Sequence, residues 1–498
     1  MVAVRAVILS MLMLCGASVC AAPELGVLMP VMEHDEPLMR RAPESARQVP
    51  VVTRVKSGKL FRAIEREARA GFTSVILQLD EDSKRVAGRD VGSPSWLFLA
   101  TEDGGFARRG FWLRENGAER WVGDAFVDLV VDEESVSDGS FEEIFAHEMG
   151  HVFLHRLLPS YPWGMSRARH GAFTVTDDPT AFDEGFAMHF QALARRYTSN
   201  RALTDLDQGL LEQPFTPYWQ SNRDRAARIA GVRLNWFVQA QLLPPGEGAA
   251  AMRQDSSNLF VATQFKDANQ MFASEGVLGT IFYRTLVAGG ERQDIAPRYR
   301  GLFLAFRAME AAGGLGPDTV LVARLARAMT GVYPALARHF VETVVAVTYG
   351  ATVDPAFARN TQALAAAGQI GDRPAFIQLL GGQRKALLAL QERVAHEPAL
   401  LQSAIGPALW IAYDAAPATQ EQPVVLNLNT AQTAQLSAIP ALAALAERLI
   451  EARRKDGAFR GIDDLLARAA EPVDAAQLQA ILQQMAARAS ALGVYERE

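Results

Sequence analysis

FEEIFAHEMGHVFLHRL, residues 141–157, carries His147, Glu148 and His151 in the spacing HExxH. On a helix, residues four apart share a face, so both imidazoles can point at one ion. Glu148 is adjacent but displaced around the helix. That places it to take a proton from an attacking water rather than to bind the ion. Neutral imidazole nitrogens suit Zn2+, and a catalytic zinc takes three protein ligands and keeps one position open. The flanking sequence supports a helix. Ser140 followed by Glu143 predicts a capping-box start, Ile144, Phe145, Val152, Phe153 and Leu154 supply apolar flanks, and Pro159 predicts a stop after Leu158. His155 repeats the four-residue spacing but lies too far along the helix for a third ligand, and reads as a supporting or surface residue.

The third ligand decides the subclass. Leu154 and Leu157 stand where the longer HExxHxxGxxH pattern needs Gly and His, so that form is excluded. Downstream, AFDEGFAMHF at 181–190 lies on a second helical pattern running from Pro179 to about Tyr197. HEMGH followed by DEGFA resembles the gluzincin metallopeptidases, over roughly residues 120–200. The resemblance implies zinc ligands His147, His151 and Glu184, with Glu148 as general base and the two helices packed side by side. The interval between His151 and Glu184 is longer than in aminopeptidase-type members, which implies an inserted loop over about 159–178 containing Trp163, His170 and Asp178. The resemblance also implies that the strand AFVDLVV, 125–131, lines the cleft, where an extended peptide can add to its edge. Read without the resemblance, Glu184 is a helix-start carboxylate facing the helix dipole. His189 reads either as support for the ligands or as a core histidine. Tyr283, in ASEGVLGTIFYRTL, is the candidate for stabilising an oxyanion, against a plain helix-packing tyrosine.

The remaining chain arranges itself around this centre. Residues 1–22 read as a secretory signal, with Arg5, an apolar run at 6–14 too short to span a bilayer, and small residues before a cut after Ala22. Both cysteines, Cys15 and Cys20, lie in it, so the mature chain has none, and no membrane span is expected after its removal. Export without disulfides fits a periplasmic or secreted enzyme. Residues 23–57 read as an extended N-terminal segment. A helix is predicted over 58–71, then strands at 74–79 (SVILQL), 96–100 and 125–131. The expected units are a zincin-like catalytic domain over 58–290, a helical domain over 291–414 with glycine breaks at 288–290, 312–316 and 381–383, a linker over 415–423, and a terminal module over 424–498. The fold class is α+β, mostly α.

With 498 residues, 49% apolar and 21% charged, the chain has a globular composition, and its net charge of −6 gives no global sign of nucleic-acid or membrane binding. Residues 424–468 resemble the helix-hairpin-helix modules of competence-type DNA-uptake proteins. Asn427, Asn429, Thr430, Ala431, Leu436, Ile439, Pro440, Ala446, Ile450, Arg453, Gly457, Phe459, Asp464 and Leu465 carry the match. DNA binding does not follow. Pro440 is followed by Ala441-Leu442-Ala443 without the family's glycines, and 447–460 carries five basic against three acidic residues, a net of +2. The module therefore reads as structural or protein-binding, against nucleic acid. The expectation is an exported zinc metallopeptidase acting on a peptide or protein. Its rivals are a non-catalytic zinc-bearing envelope scaffold and a DNA-binding envelope protein.

Overall fold

A computed structural model describes residues 23–43, 45–166, 170–205, 231–241, 260–370, 373–414, 423–469 and 475–494. The expected signal at 1–22 and most of the expected linker, 415–422, lie outside the described residues. The chain is mostly helical with a small sheet, as expected. No helix among the described residues is long and apolar enough to cross a membrane.

The sheet is built from β1 (Leu25–Pro30), β2 (Gln48–Arg54), β3 (Ser95–Leu99), β4 (Phe106–Glu115) and β5 (Ala118–Leu129), with the short strand Met39–Arg41 added beside β2. In space the order is β1-β3-β5-β4-β2, and β2 pairs back onto β1, so the five strands close on themselves. Alternation along the strands splits their side chains between two cores. Leu28, Val52, Trp96, Phe111, Leu113 and Phe126 fill the ring, with Trp96–Phe111 and Phe111–Phe126 edge-to-face at 5.3 and 5.4 Å. Val27, Leu97, Val127 and Leu129 point the other way, into the helices. The segment 23–57 therefore supplies two strands of this sheet. The alternation in LGVLMP and QVPVVTR is short, and it becomes readable only once the sheet partners are known.

Helix α1 (Lys59–Ala70) follows β2 as expected. The run SVILQL does not form a strand: it lies in α2 (Thr73–Val86). An apolar run of this length fits a buried strand or a buried helix equally well. The tie is broken by polar residues of helical spacing, with buried Asp80 pairing Lys84 one turn on at 2.6 Å and Arg156 at 2.5 Å. Arg156 belongs to α3 (Ser140–Leu157), so this ion cluster pins α2 to the helix that carries HEMGH. The other long helices of the body are α4 (Asp178–Tyr197), α5 (Glu275–Leu286), α6 (Ile295–Ala312), α7 (Leu321–Val332), α8 (Pro334–Val347), α9 (Pro355–Ile370) and α10 (Arg373–His396). The glycine breaks at 288–290 and 312–316 do separate helices. Gly381 and Gly382 do not, because they sit on an exposed stretch inside α10 where helical backbone meets no obstacle. One continuous apolar core runs from Val27 to Leu401, so residues 291–401 share the core of the residues before them rather than forming their own.

A second core starts at Ile411 and reaches Leu482. Strands β6 (Trp410–Tyr413) and β7 (Val424–Asn427) pair antiparallel beneath α11 (Ala446–Asp456), α12 (Ile462–Ala469) and α13 (Ala475–Leu492), so the terminal unit begins before residue 424. It is docked on the body. Arg453 is buried, donates to the carbonyls of Leu428 at 2.8 Å and Ala431 at 2.7 Å, and pairs with Asp267 at 2.7 Å. Gln270 donates to the Thr430 carbonyl at 2.8 Å.

Candidate metal centre

Helix α3 starts differently from expectation. Its N-cap is Gly139, the Ser140 N–H donates to the Asp138 carboxylate at 2.8 Å, and Glu143 is buried against Arg195 of α4 at 2.8 Å instead of capping. A buried ion pair spanning two helices takes the glutamate that a capping box would have used. Helix α4 begins as its sequence suggests, with Asp177 accepting from Thr180 N–H at 2.8 Å and Pro179 in the first turn. Both motif glycines are there for close approach. A methyl group on Gly150 would stand 2.9 Å from the Ala187 Cα of α4. One on Gly185 would stand 2.7 Å from the Glu275 carbonyl and 2.9 Å from the Gly279 nitrogen of α5. HEMGH and DEGFA thus specify both donor atoms and the interhelical contacts that bring them together.

At that contact, His147 Nε2 lies 3.6 Å and His151 Nε2 3.8 Å from Glu184 Oε2. The three donors all lie within 4.8 Å of one another, a group that could hold a metal ion. Tetrahedral ligands at about 2.0–2.1 Å from zinc stand about 3.3 Å apart, so the set fits after small inward shifts. Glu184 is well inside α4, not in its first turn, so the helix-dipole reading does not account for it. Asp183 braces the group. Its carboxylate accepts from His151 Nδ1 at 2.6 Å and from His155 Nε2 at 3.0 Å. This bond leaves Nε2 as the nitrogen His151 turns toward Glu184, as ligating imidazoles require. Burial opposes charge on His151, but Asp183, Glu184 and Glu148 together raise its pKa well above the usual imidazole range. A site that favours a proton this strongly carries a negative field that also favours a divalent cation. His155 supports rather than ligates, packed between Tyr161 and Trp163 at ring distances of 5.6 and 5.3 Å.

Glu148 is buried beside the histidines. Its carboxylate is felt by buried Asp128 of β5, whose pKa is raised mainly by burial, against the pull of Arg108 at 2.7 Å. Strand β5 thus reaches the site, but not as a free edge. Over Val127–Leu129 it pairs with β3 on one side, and its Val127 and Asp128 pair with β4 on the other, so a peptide cannot add there. His189 is a core histidine. It donates to the Phe186 carbonyl and accepts from Tyr299 Oη at 2.6 Å, and burial pushes its pKa down to about 3. Tyr283 is not brought to the centre: it is buried two helical turns beyond Glu275, about 12 Å along the axis, beside Arg196.

Sequence reading named His170 only as part of the inserted loop and did not single out Glu275. His170 Nδ1 lies 3.0 Å from Glu275 Oε2 and 3.4 Å from Glu184 Oε2. They are 105 positions apart, with no motif joining them, whereas Asp183 was legible as the acid preceding Glu184.

In the terminal module the matched Asn427, Asn429, Thr430 and Arg453 are buried. Asn429 accepts from Phe459 N–H at 2.7 Å and donates to its carbonyl at 2.8 Å, while Asn427 accepts from the N–H groups of Leu409 and Asn429, each at 2.9 Å. Residues 421–470 match the helix-hairpin-helix motif family. No curated protein and no solved structure matches the chain. The likeness to known proteins is thus confined to this terminal module, and the candidate metal centre rests on its own geometry.

Proposed function

We propose that the chain is an exported zinc metallopeptidase of gluzincin type, hydrolysing peptide bonds in the periplasm or outside the cell. The observation that carries this reading is the convergence of His147, His151 and Glu184 around one point with Glu148 buried alongside. Two imidazoles and one carboxylate are a donor set suited to zinc, with a position left for substrate or water. When bound, zinc supplies a Lewis acid that polarises a carbonyl and makes water acidic enough to attack near neutral pH.

The chain's own residues do the rest. Glu148 takes the proton of the attacking water and delivers it to the leaving nitrogen. Asp183 holds His151 in the tautomer that presents Nε2, and His155 holds Asp183 from the other side. Gly150 and Gly185 fix the spacing of α3, α4 and α5, so the donors are held by packed backbone rather than by loops. The helix-hairpin-helix module reads as structural, because Arg453, one of its five cations near the hairpin, is buried in the contact with the body. Its other faces remain available to a protein partner, while for DNA binding the module lacks both the glycine turn and the positive charge. The test is peptide cleavage that disappears on chelation, returns with zinc, and depends on Glu148.

A further inference from the structure

The donors described above do not end with one triad. His170, Glu184 and Glu275 form a second group whose ligand atoms also lie within 4.8 Å of one another, and Glu184 belongs to both. We propose that this group is a second divalent-cation site, so that Glu184 bridges a pair of ions. The inference rests on the proposed metal centre in that one respect, the sharing of Glu184.

The separations favour it. His170 Nδ1 stands 3.0 Å from Glu275 Oε2 and 3.4 Å from Glu184 Oε2, close to the spacing of neighbouring ligands around one small cation. Glu184 Oε2 also faces the Nε2 atoms of His147 and His151 at 3.6 and 3.8 Å. The one oxygen Glu184 Oε2 thus has donors of both groups within 3.8 Å, as a shared ligand requires, and paired hydrolytic ions stand about 3.5–4 Å apart.

Charge favours it as well. Glu184 and Glu275 are both buried and close together, and two such carboxylates repel strongly away from water. Buried Lys266 feels the charge of Glu275, but its ammonium donates to the carbonyls of Phe237 at 2.5 Å and Gln239 at 3.1 Å. It makes no ion pair with Glu275 among the described residues. His170 is half exposed, so one divalent ion entering past its ring would compensate both carboxylates.

The frame is held independently of the His170–Glu275 contact. Thr176 N–H donates to the Ala273 carbonyl at 2.8 Å, and a methyl group on Gly276 would stand 2.3 Å from the Ala172 carbonyl. The loop after His170 is therefore seated on the start of α5. With one imidazole and two carboxylates, this group is harder than the first and suits Zn2+ or Mn2+.

The experiment is metal stoichiometry of the purified full chain, stripped with chelator, dialysed against Zn2+ or Mn2+ and assayed for bound metal by mass spectrometry. Glu275→Gln, His170→Ala, His147→Ala and His151→Ala are measured beside it, with circular dichroism confirming that each is folded. The expected result is two zinc ions per chain, falling to one in Glu275→Gln and in His170→Ala. Paired Mn2+ would also show exchange-coupled electron paramagnetic resonance, reverting to an isolated-ion signal in those variants. One ion per chain, kept in Glu275→Gln and lost in His147→Ala, would overturn the second site and leave the first standing. One ion that follows His170 and Glu275 but ignores His147 would sustain the new site and sink the first.

Discussion

Gly185→Ala sets two physical effects against each other, and the structure decides the sign. In a helix interior, glycine to alanine stabilises by about 1 kcal/mol through backbone entropy. At position 185 the new methyl carbon would meet Leu278 Cβ at 2.6 Å, the Glu275 carbonyl oxygen at 2.7 Å and the Gly279 nitrogen at 2.9 Å. Two of these atoms are backbone and cannot rotate away, so α5 must shift. Overpacking of a dense core costs about 1–3 kcal/mol, and backbone obstacles put this case at the upper end. The net expectation is destabilisation of about 2 kcal/mol, the overpacking cost less the propensity gain. Gly381→Ala is the control: it lies exposed inside α10 with nothing within 4 Å, so only the propensity gain of about 1 kcal/mol remains. Urea unfolding followed by circular dichroism should show a lowered midpoint for the first variant and an unchanged or raised one for the second. A midpoint for Gly185→Ala at or above the parent would refute the claim that this glycine sets the contact between α4 and α5.

Three further outcomes are expected. Asp183→Asn should weaken zinc about 10–100-fold in chelator competition, because His151 loses the carboxylate that orients it; unchanged affinity would remove Asp183 from the site. Lys266 is buried and its pKa is pushed down to about 7, so between there and its ordinary value near 10.5 the unfolded chain binds more protons than the folded one. Stability from this group therefore rises with pH across that window, and Lys266→Met should abolish the rise; parallel urea midpoints for the two proteins at pH 6.5 and 9 would contradict it. Arg453→Ala should destabilise by about 3 kcal/mol, leaving two carbonyls and Asp267 without their partner, and should speed proteolysis between body and module; no change in either would mean the docking contact is unimportant.

The centre was legible where its chemistry is local in sequence. HEMGH and DEGFA each sit within one helix, and the resemblance they carry implies that those helices pack side by side. Contacts between distant segments were not legible. Nothing marks His170 and Glu275 as neighbours until the loop after His170 is seated on α5. The same limit hid β1 and β2, whose alternation is a few residues long and gains meaning from β3 and β4. SVILQL was misread because a helix buried on most sides loses its 3.6-residue stripe, and Asp80 and Lys84 carried the better signal. Tyr283 has the right chemistry and the right helix, but lies two turns from the end that meets the centre.

Glu148 is the residue on which the proposed activity turns. The direct measurement is cleavage of a diverse peptide library by the zinc-loaded mature chain, beside Glu148→Gln with equal zinc content. Cleavage by the parent and its loss by at least about 100-fold in the variant is the expected result, the size of a general base's contribution. Equal cleavage in both would contradict Glu148 as the base, and no cleavage in either would contradict the peptidase reading.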